Sequence, residues 1–143
     1  MSLEQAMHER WQTCAALTAL VPADRFRTGW VAPSAATGSE AAGTPVDLPY
    51  VVLERVGDAE LTCASGGREL TSVLLRLRVW AADLAQAKQI AGEIDARFHR
   101  RSFVAAGVAV QDIKRRGRRE SPRADGAWQL ELDYLVRTET RGA

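Results

Sequence analysis

Two stretches of this chain leave little freedom in what it can fold into: LTSVLLRLRVW, residues 70–80, and WQLELDYLVRT, residues 128–138. In the first, Val73, Leu75, Leu77 and Val79 take every second position, with Arg76 and Arg78 between them. In the second, Trp128, Leu130, Leu132, Tyr134 and Val136 alternate with Gln129, Glu131, Asp133 and Arg137. Successive side chains of a strand point to opposite faces, so a period of two predicts strands with one face in a core and one facing water or a partner. The intervening charges are opposite in sign. If the two strands are neighbours, Glu131 and Asp133 face Arg76 and Arg78, each pair contributing a few tenths of a kcal/mol.

The rest of the pattern supplies further strands and two helices. Leu3, Met7, Trp11, Cys14, Leu17 and Val21 recur at helical spacing, with Ser2 as N-cap and Pro22 as the stop. Asp83 caps a second helix whose apolar stripe runs through Leu84, Ala87, Ile90 or Ala91, Ile94 and Phe98, the helical region ending by Phe103 to Gly107. Short strands are expected at Asp24 to Ala32, Tyr50 to Val56 and Val108 to about Lys114. Between them, Pro33 to Asp47 and Gly57 to Glu69 are rich in Gly, Ser, Thr and Ala and read as long loops, the latter projecting from the sheet, and GRRESPRADG reads as a polar hairpin loop. The fold class expected is α+β: a mostly antiparallel sheet of four to five strands with two helices packed on one face, all of 1–143 forming a single domain.

Catalytic chemistry finds little footing. The two histidines, His8 and His99, are in no metal-ligand spacing, and Cys14 and Cys63 are in no redox or metal spacing. Asp95 and His99 are one helical turn apart and can form a hydrogen-bonded pair, which reads as a surface pair among arginines rather than a catalytic one. SGGRE, Ser65 to Glu69, lacks the lysine of a phosphate-binding loop and runs into a strand instead of a helix. No catalytic residue, cofactor or metal is expected. The net charge of +1 predicts no global affinity for nucleic acid. Lys114, Arg115, Arg116, Arg118 and Arg119 are a local exception, a candidate contact for DNA or a protein partner, although no aromatic residue is interleaved for base stacking. MSLEQAMHERW has neither the basic start nor the apolar run of an export signal, and no apolar stretch has the length of a spanning helix.

A resemblance rests on ADRFRTGWVAP, LPYVVLERV, LTSVLLRLRVWAADLAQAKQIAGEIDARF, VAVQDIKRRGRRES and GAWQLELDYLVRTE, which together span most of the chain. This array resembles the tail completion, or tail terminator, family of long-tailed bacteriophages and prophage-like elements. The lengthened loop at Pro33 to Asp47 departs from the family pattern. The resemblance implies a structural virion protein at the head-tail junction, assembled in the bacterial cytoplasm. It implies a homo-oligomeric, generally hexameric ring on the head-proximal end of the tail tube, which stops tube polymerisation and docks the head or neck connector. DNA would cross the lumen, and no membrane is involved. A head-tail joining protein without a terminator role is the neighbouring reading, and a small DNA-binding module using Lys114 to Arg119 the more distant one. Asp58, Glu60, Ser65, Gly66, Gly67, Arg68, Leu74, Arg76, Arg78, Trp80, Glu131 and Asp133 are the expected subunit or tube contacts, from the projecting loop and the half-charged sheet face.

Overall fold

In the computed structural model of the chain, the residues described are 2–28, 48–65, 68–123 and 126–141, with side chains described outside 57–69 and 140–141. Among these residues six strands form one sheet in the order β1-β2-β3-β6-β5-β4. They are β1 (Phe26–Thr28), β2 (Tyr50–Ser65), β3 (Arg68–Ala81), β4 (Phe103–Ala105), β5 (Val108–Pro122) and β6 (Trp128–Arg141). The helices are α1 (Leu3–Thr13), α2 (Ala15–Leu20) and α3 (Leu84–Phe98).

This corrects the expected fold class of a four- to five-stranded, mostly antiparallel sheet with two packed helices. The sheet is six-stranded and mixed, because β1 runs parallel to β2, and it curves into a half-barrel beside short helices. β4 escaped the sequence reading because three residues are too few to display a period. The first helical stretch is also broken. Cys14 adopts extended backbone (φ −97°, ψ 99°) and serves both as C-cap of α1 and N-cap of α2, so the regular apolar spacing spans two helices.

Both expected loops that fall in the described region are largely strand. β2 continues to Ser65 and β3 begins at Arg68, paired as far as Ser65↔Arg68, so 57–65 and 68–69 belong to a long β-ribbon. The register slips between Arg55 and Glu60, a bulge that absorbs the glycine-containing stretch without ending the ladder. Likewise β5 carries the basic run and reaches Pro122, with a bulge between Arg115 and Gly117. Turn-forming residues signalled loops here, but a bulge accommodates them inside a strand. Pro33 to Asp47 lies outside the described residues.

The helix starts follow their caps. Ser2 and Gln5 make a capping box, and the Asp83 carboxylate accepts from the Gln86 N–H at 2.8 Å. The core lies between the helices and one sheet face. Leu75, Leu77, Leu132, Tyr134, Ile90, Ile94 and Phe98 are all fully buried there. At its N-terminal end, Trp11 is fully buried, stacks on Phe26 (centroids 4.1 Å apart) and donates its indole N–H to the Val21 carbonyl at 3.0 Å. That one side chain fixes α1, α2's exit and the parallel edge strand together. Glu4 of α1 also receives both guanidinium bonds of Arg55 on β2, at 2.7 and 3.1 Å. The Arg55 hydrogen bond holds the Glu4 carboxyl below the ordinary range.

Candidate functional site

The face of the sheet on which, among the described residues, no helix packs gathers the polar half of each alternating strand. β3 pairs with β6 along its full length, Arg76 opposite Asp133 and Arg78 opposite Glu131, as the alternating charges required. The Arg76 guanidinium is bidentate on Asp133, at 2.8 and 3.2 Å, and reaches Glu131 at 3.2 Å. Arg78 bridges Glu54 of β2 at 3.0 Å and approaches Glu131 at 3.8 Å. The result is a row Glu54–Arg78–Glu131–Arg76–Asp133 across three strands. The Asp133 hydrogen bond raises the Arg76 pKa further, so the guanidinium stays charged. These side chains are about one-fifth to one-quarter exposed, which leaves the row a half-buried polar surface and not a core network.

Leu74 lies on this face opposite Leu135, both half-buried. At the other end Trp80, only 6% exposed, stacks on Tyr50 at 5.9 Å and lies beneath the Arg123 guanidinium at 4.6 Å, with Val52 completing a small second apolar cluster. The predicted contact residues Leu74, Arg76, Arg78, Trp80, Glu131 and Asp133 therefore share one face. Asp58, Glu60, Ser65 and Arg68 fall on the ribbon formed by β2 and β3: Glu60, Ser65 and Arg68 at paired positions, Asp58 within the register slip between Arg55 and Glu60. Gly66 and Gly67 lie outside the described residues.

The basic run is split by its strand. Arg115 is held by the helix side: its Nη1 reaches Asp95 Oδ2 at 3.2 Å, and its backbone N–H donates to His99 Nδ1 at 3.0 Å. Arg118 pairs with Glu120 at 3.1 Å. Lys114, Arg116 and Arg119 are exposed and make no ion pair among the described residues. Sequence reasoning treated the five cations as one group and missed this division, which the strand period within KRRGRR signals only once the bulge at Arg116 is known.

The His99 N–H donates to the Asp95 carbonyl at 2.9 Å at the end of α3, but among the described residues the two side chains do not pair with each other. The Asp95 carboxylate accepts from the Tyr134 hydroxyl at 2.9 Å as well as from Arg115, tying α3 to β6 and β5. Burial, followed by the neighbouring Asp95 charge, raises the Tyr134 pKa well above that of an ordinary phenol, so the hydroxyl stays a donor. His8 is hydrogen-bonded with Thr28 Oγ1 and packs on Phe26, and burial lowers its pKa. A shallow groove of about 450 Å³ beside it is lined by Gln5, His8, Glu9, Gln12 and Ala106. Among the described residues no cluster of His, Cys, Asp and Glu can hold a metal ion, and no helix is long and apolar enough to cross a membrane.

A long-stranded sheet with a half-charged face, salt-bridged from strand to strand, has the character of a structural building block. A family model described as "Tail completion protein gp17" matches residues 5–139. The chain belongs to that tail completion family, and is a structural assembly protein of the bacteriophage-type virion tail. In fold it is similar to a chain of the structure titled "Virion of native gene transfer agent (GTA) particle", at 13% identity and TM-score 0.68, covering 97% of this chain and 96% of that one. A second solved chain aligns over 100% of this one and 99% of its own length, at 15% identity and TM-score 0.50. No curated protein matches in sequence.

Proposed function

We propose that the chain, as a single domain per copy, assembles into a hexameric ring at the head-proximal end of the tail tube. There it stops tube polymerisation and offers the docking surface for the head or neck connector, with DNA crossing the lumen. It acts by binding, not by catalysis. The observation that carries this reading is the tail completion family match over 5–139. The half-charged face with Arg76, Arg78, Glu131 and Asp133 and the ribbon carrying Asp58, Glu60, Ser65 and Arg68 serve as its contacts to a neighbouring copy or the tube. A surface of partly exposed charges beside Leu74 and Leu135 suits a polar subunit contact of this kind.

The test is deletion of the gene in its parent element, induction, and negative-stain electron microscopy of the lysate. Overlong tubes lacking heads are expected. Tubes of normal length beside unjoined heads would transfer the protein to the joining role, and normal infectious particles would refute both. A second reading, contact with DNA, is favoured by the exposed Lys114, Arg116 and Arg119, which make no ion pair among the described residues. It predicts duplex binding that weakens steeply with salt.

A further inference from the structure

The turn after α3 and the strand β5 bring together two basic stretches that are separate in sequence. Beyond Phe98 the chain passes through Arg100, whose backbone is left-handed (φ 57°), and runs against β5. The Arg100 N–H donates to the Ile113 carbonyl at 2.6 Å, and His99 Nδ1 accepts from the Arg115 N–H at 3.0 Å. Arg100 and Arg101 therefore stand beside Lys114 and Arg116, and all four residues are exposed.

The other charges of this neighbourhood already have counter-charges. Arg97 pairs with Glu93 at 3.6 Å, Arg115 with Asp95 at 3.2 Å and Arg118 with Glu120 at 3.1 Å. Arg119 is level with Glu131, in a row that holds three carboxylates to two guanidiniums. Asp112 is level with Arg137, and Arg10, which donates to the Arg97 carbonyl at 3.3 Å, follows Glu9 in sequence. Left over among the described residues are Arg100, Arg101, Lys114 and Arg116, a local excess of four positive charges in a chain whose net charge is +1. Their surroundings are unlike the centre of a protein interface, which is apolar and poor in charge. From Lys114 to Glu120 every residue of β5 is exposed except the half-buried Gly117. The exposed large apolar side chains among the described residues lie elsewhere: Leu48 precedes β2, and Val104 is on β4 opposite Ala109. Guanidinium forks match phosphate oxygens, and contact with a polyanion needs no apolar anchor.

We infer that Arg100, Arg101, Lys114 and Arg116 form one site for the phosphate backbone of double-stranded DNA, bound without regard to base sequence. This rests on the DNA-contact reading above and deepens it, because the cations of β5 act together with a second element, the turn after α3. None of the four residues is aromatic, so unpaired bases find no platform to stack on and the paired backbone is the ligand. A duplex presents one phosphate charge per about 1.7 Å of its axis, so each cation of a patch this compact has a phosphate within reach. Each one that neutralises a phosphate adds about 0.9 to the salt slope. Four give a slope of roughly −3.6, which is about a hundredfold loss of affinity for a fourfold rise in salt.

Fluorescence anisotropy of a labelled duplex of mixed sequence, titrated with the whole chain over a series of salt concentrations, tests it. Arg100→Gln with Arg101→Gln should remove about half of the slope, and so should Lys114→Gln with Arg116→Gln. Arg100→Lys with Arg101→Lys keeps both charges and should hold the slope near the unsubstituted value. Lys88→Gln, elsewhere on α3, should change nothing, and circular dichroism should match across the set. If the Arg100 and Arg101 glutamine variant keeps the full slope while the Lys114 and Arg116 variant loses half, the two-element site is overturned and DNA contact by β5 alone stands. No duplex binding at low salt overturns both. A lysine variant that fails like its glutamine counterpart shows that the arginines hold the turn instead of the phosphates, which also overturns the site. A preference of about a thousandfold for one duplex sequence overturns the backbone assignment. Charge-matched polyglutamate that displaces the duplex as readily as unlabelled duplex does overturns it in favour of an acidic protein.

Discussion

Asp95 ties three elements through one carboxylate, and the structure predicts an unequal response to dismantling it from either side. Tyr134 is fully buried, whereas the Asp95 side chain is 27% exposed. Tyr134→Phe removes the hydroxyl, but water can replace it at Asp95, so the loss is one hydrogen bond, about 1 kcal/mol. Asp95→Ala leaves the Tyr134 hydroxyl buried without its acceptor, about 1–3 kcal/mol, and also removes the Arg115 ion pair. That ion pair is over a third exposed at the arginine and adds less than about 1 kcal/mol. Asp95→Ala should therefore cost about 2–3 kcal/mol in all. Tyr134→Phe introduced on top of Asp95→Ala removes the orphaned hydroxyl and should recover part of that loss. Urea denaturation gives the comparison, with midpoints read at unchanged slope. Equal costs for the single variants, or a double variant that simply adds them, would refute the reasoning. The same residue sets an alkaline limit. Its raised folded-state pKa means a contribution present below the unfolded phenol value, about 10, and lost as pH rises beyond it, so Tyr134→Phe should flatten the decline in stability above about pH 10.

Other consequences are open to the same assays. Trp11→Ala empties a site that joins α1, β1 and α3 and should destabilise by about 3–5 kcal/mol, read as a large fall in thermal midpoint. Glu4 has a lowered folded-state pKa, so its contribution is present above its unfolded value and is lost as pH falls through the folded one. Glu4→Gln should remove that acid-dependent part from a stability–pH curve. Burial lowers the His8 pKa, so the protonated form is disfavoured and stability should fall as pH drops below about 6.5, a slope that His8→Gln should abolish. Arg76→Ala should cost more than Arg97→Ala, because Arg76 is bidentate on Asp133 in a half-buried row whereas Arg97 meets Glu93 at 3.6 Å near the surface.

The alternation in β3 and β6 was readable because each strand buries one face and pairs along its whole length, so every second residue reports the same environment. The caps at Ser2 and Asp83 were readable for a similar reason, each being a local bond between neighbours in sequence. What the sequence concealed depends on distant partners. Gly57 and Gly117 resemble loop residues until the opposing strand is known to run past them, and a bulge is defined only by that opposing strand. The break at Cys14 left no trace because the apolar spacing of Met7, Trp11, Leu17 and Val21 continues across it. The row formed by Arg76, Arg78, Glu131 and Asp133 was legible, since strand neighbours of opposite charge were already implied. The division of the basic run was not, because it required the positions of Asp95 and His99 relative to β5.

The ladders also have mechanical meaning. β3 is bonded to β6 from Arg68↔Arg141 to Ala81↔Trp128, so a pull along the strands loads every rung of that pair together. Among the described residues β1 and β4 are each held by three residue pairs at an edge, and a sideways pull opens those few rungs in succession. Under load the central strands should outlast both margins, and the margins are where the sheet would first begin to peel.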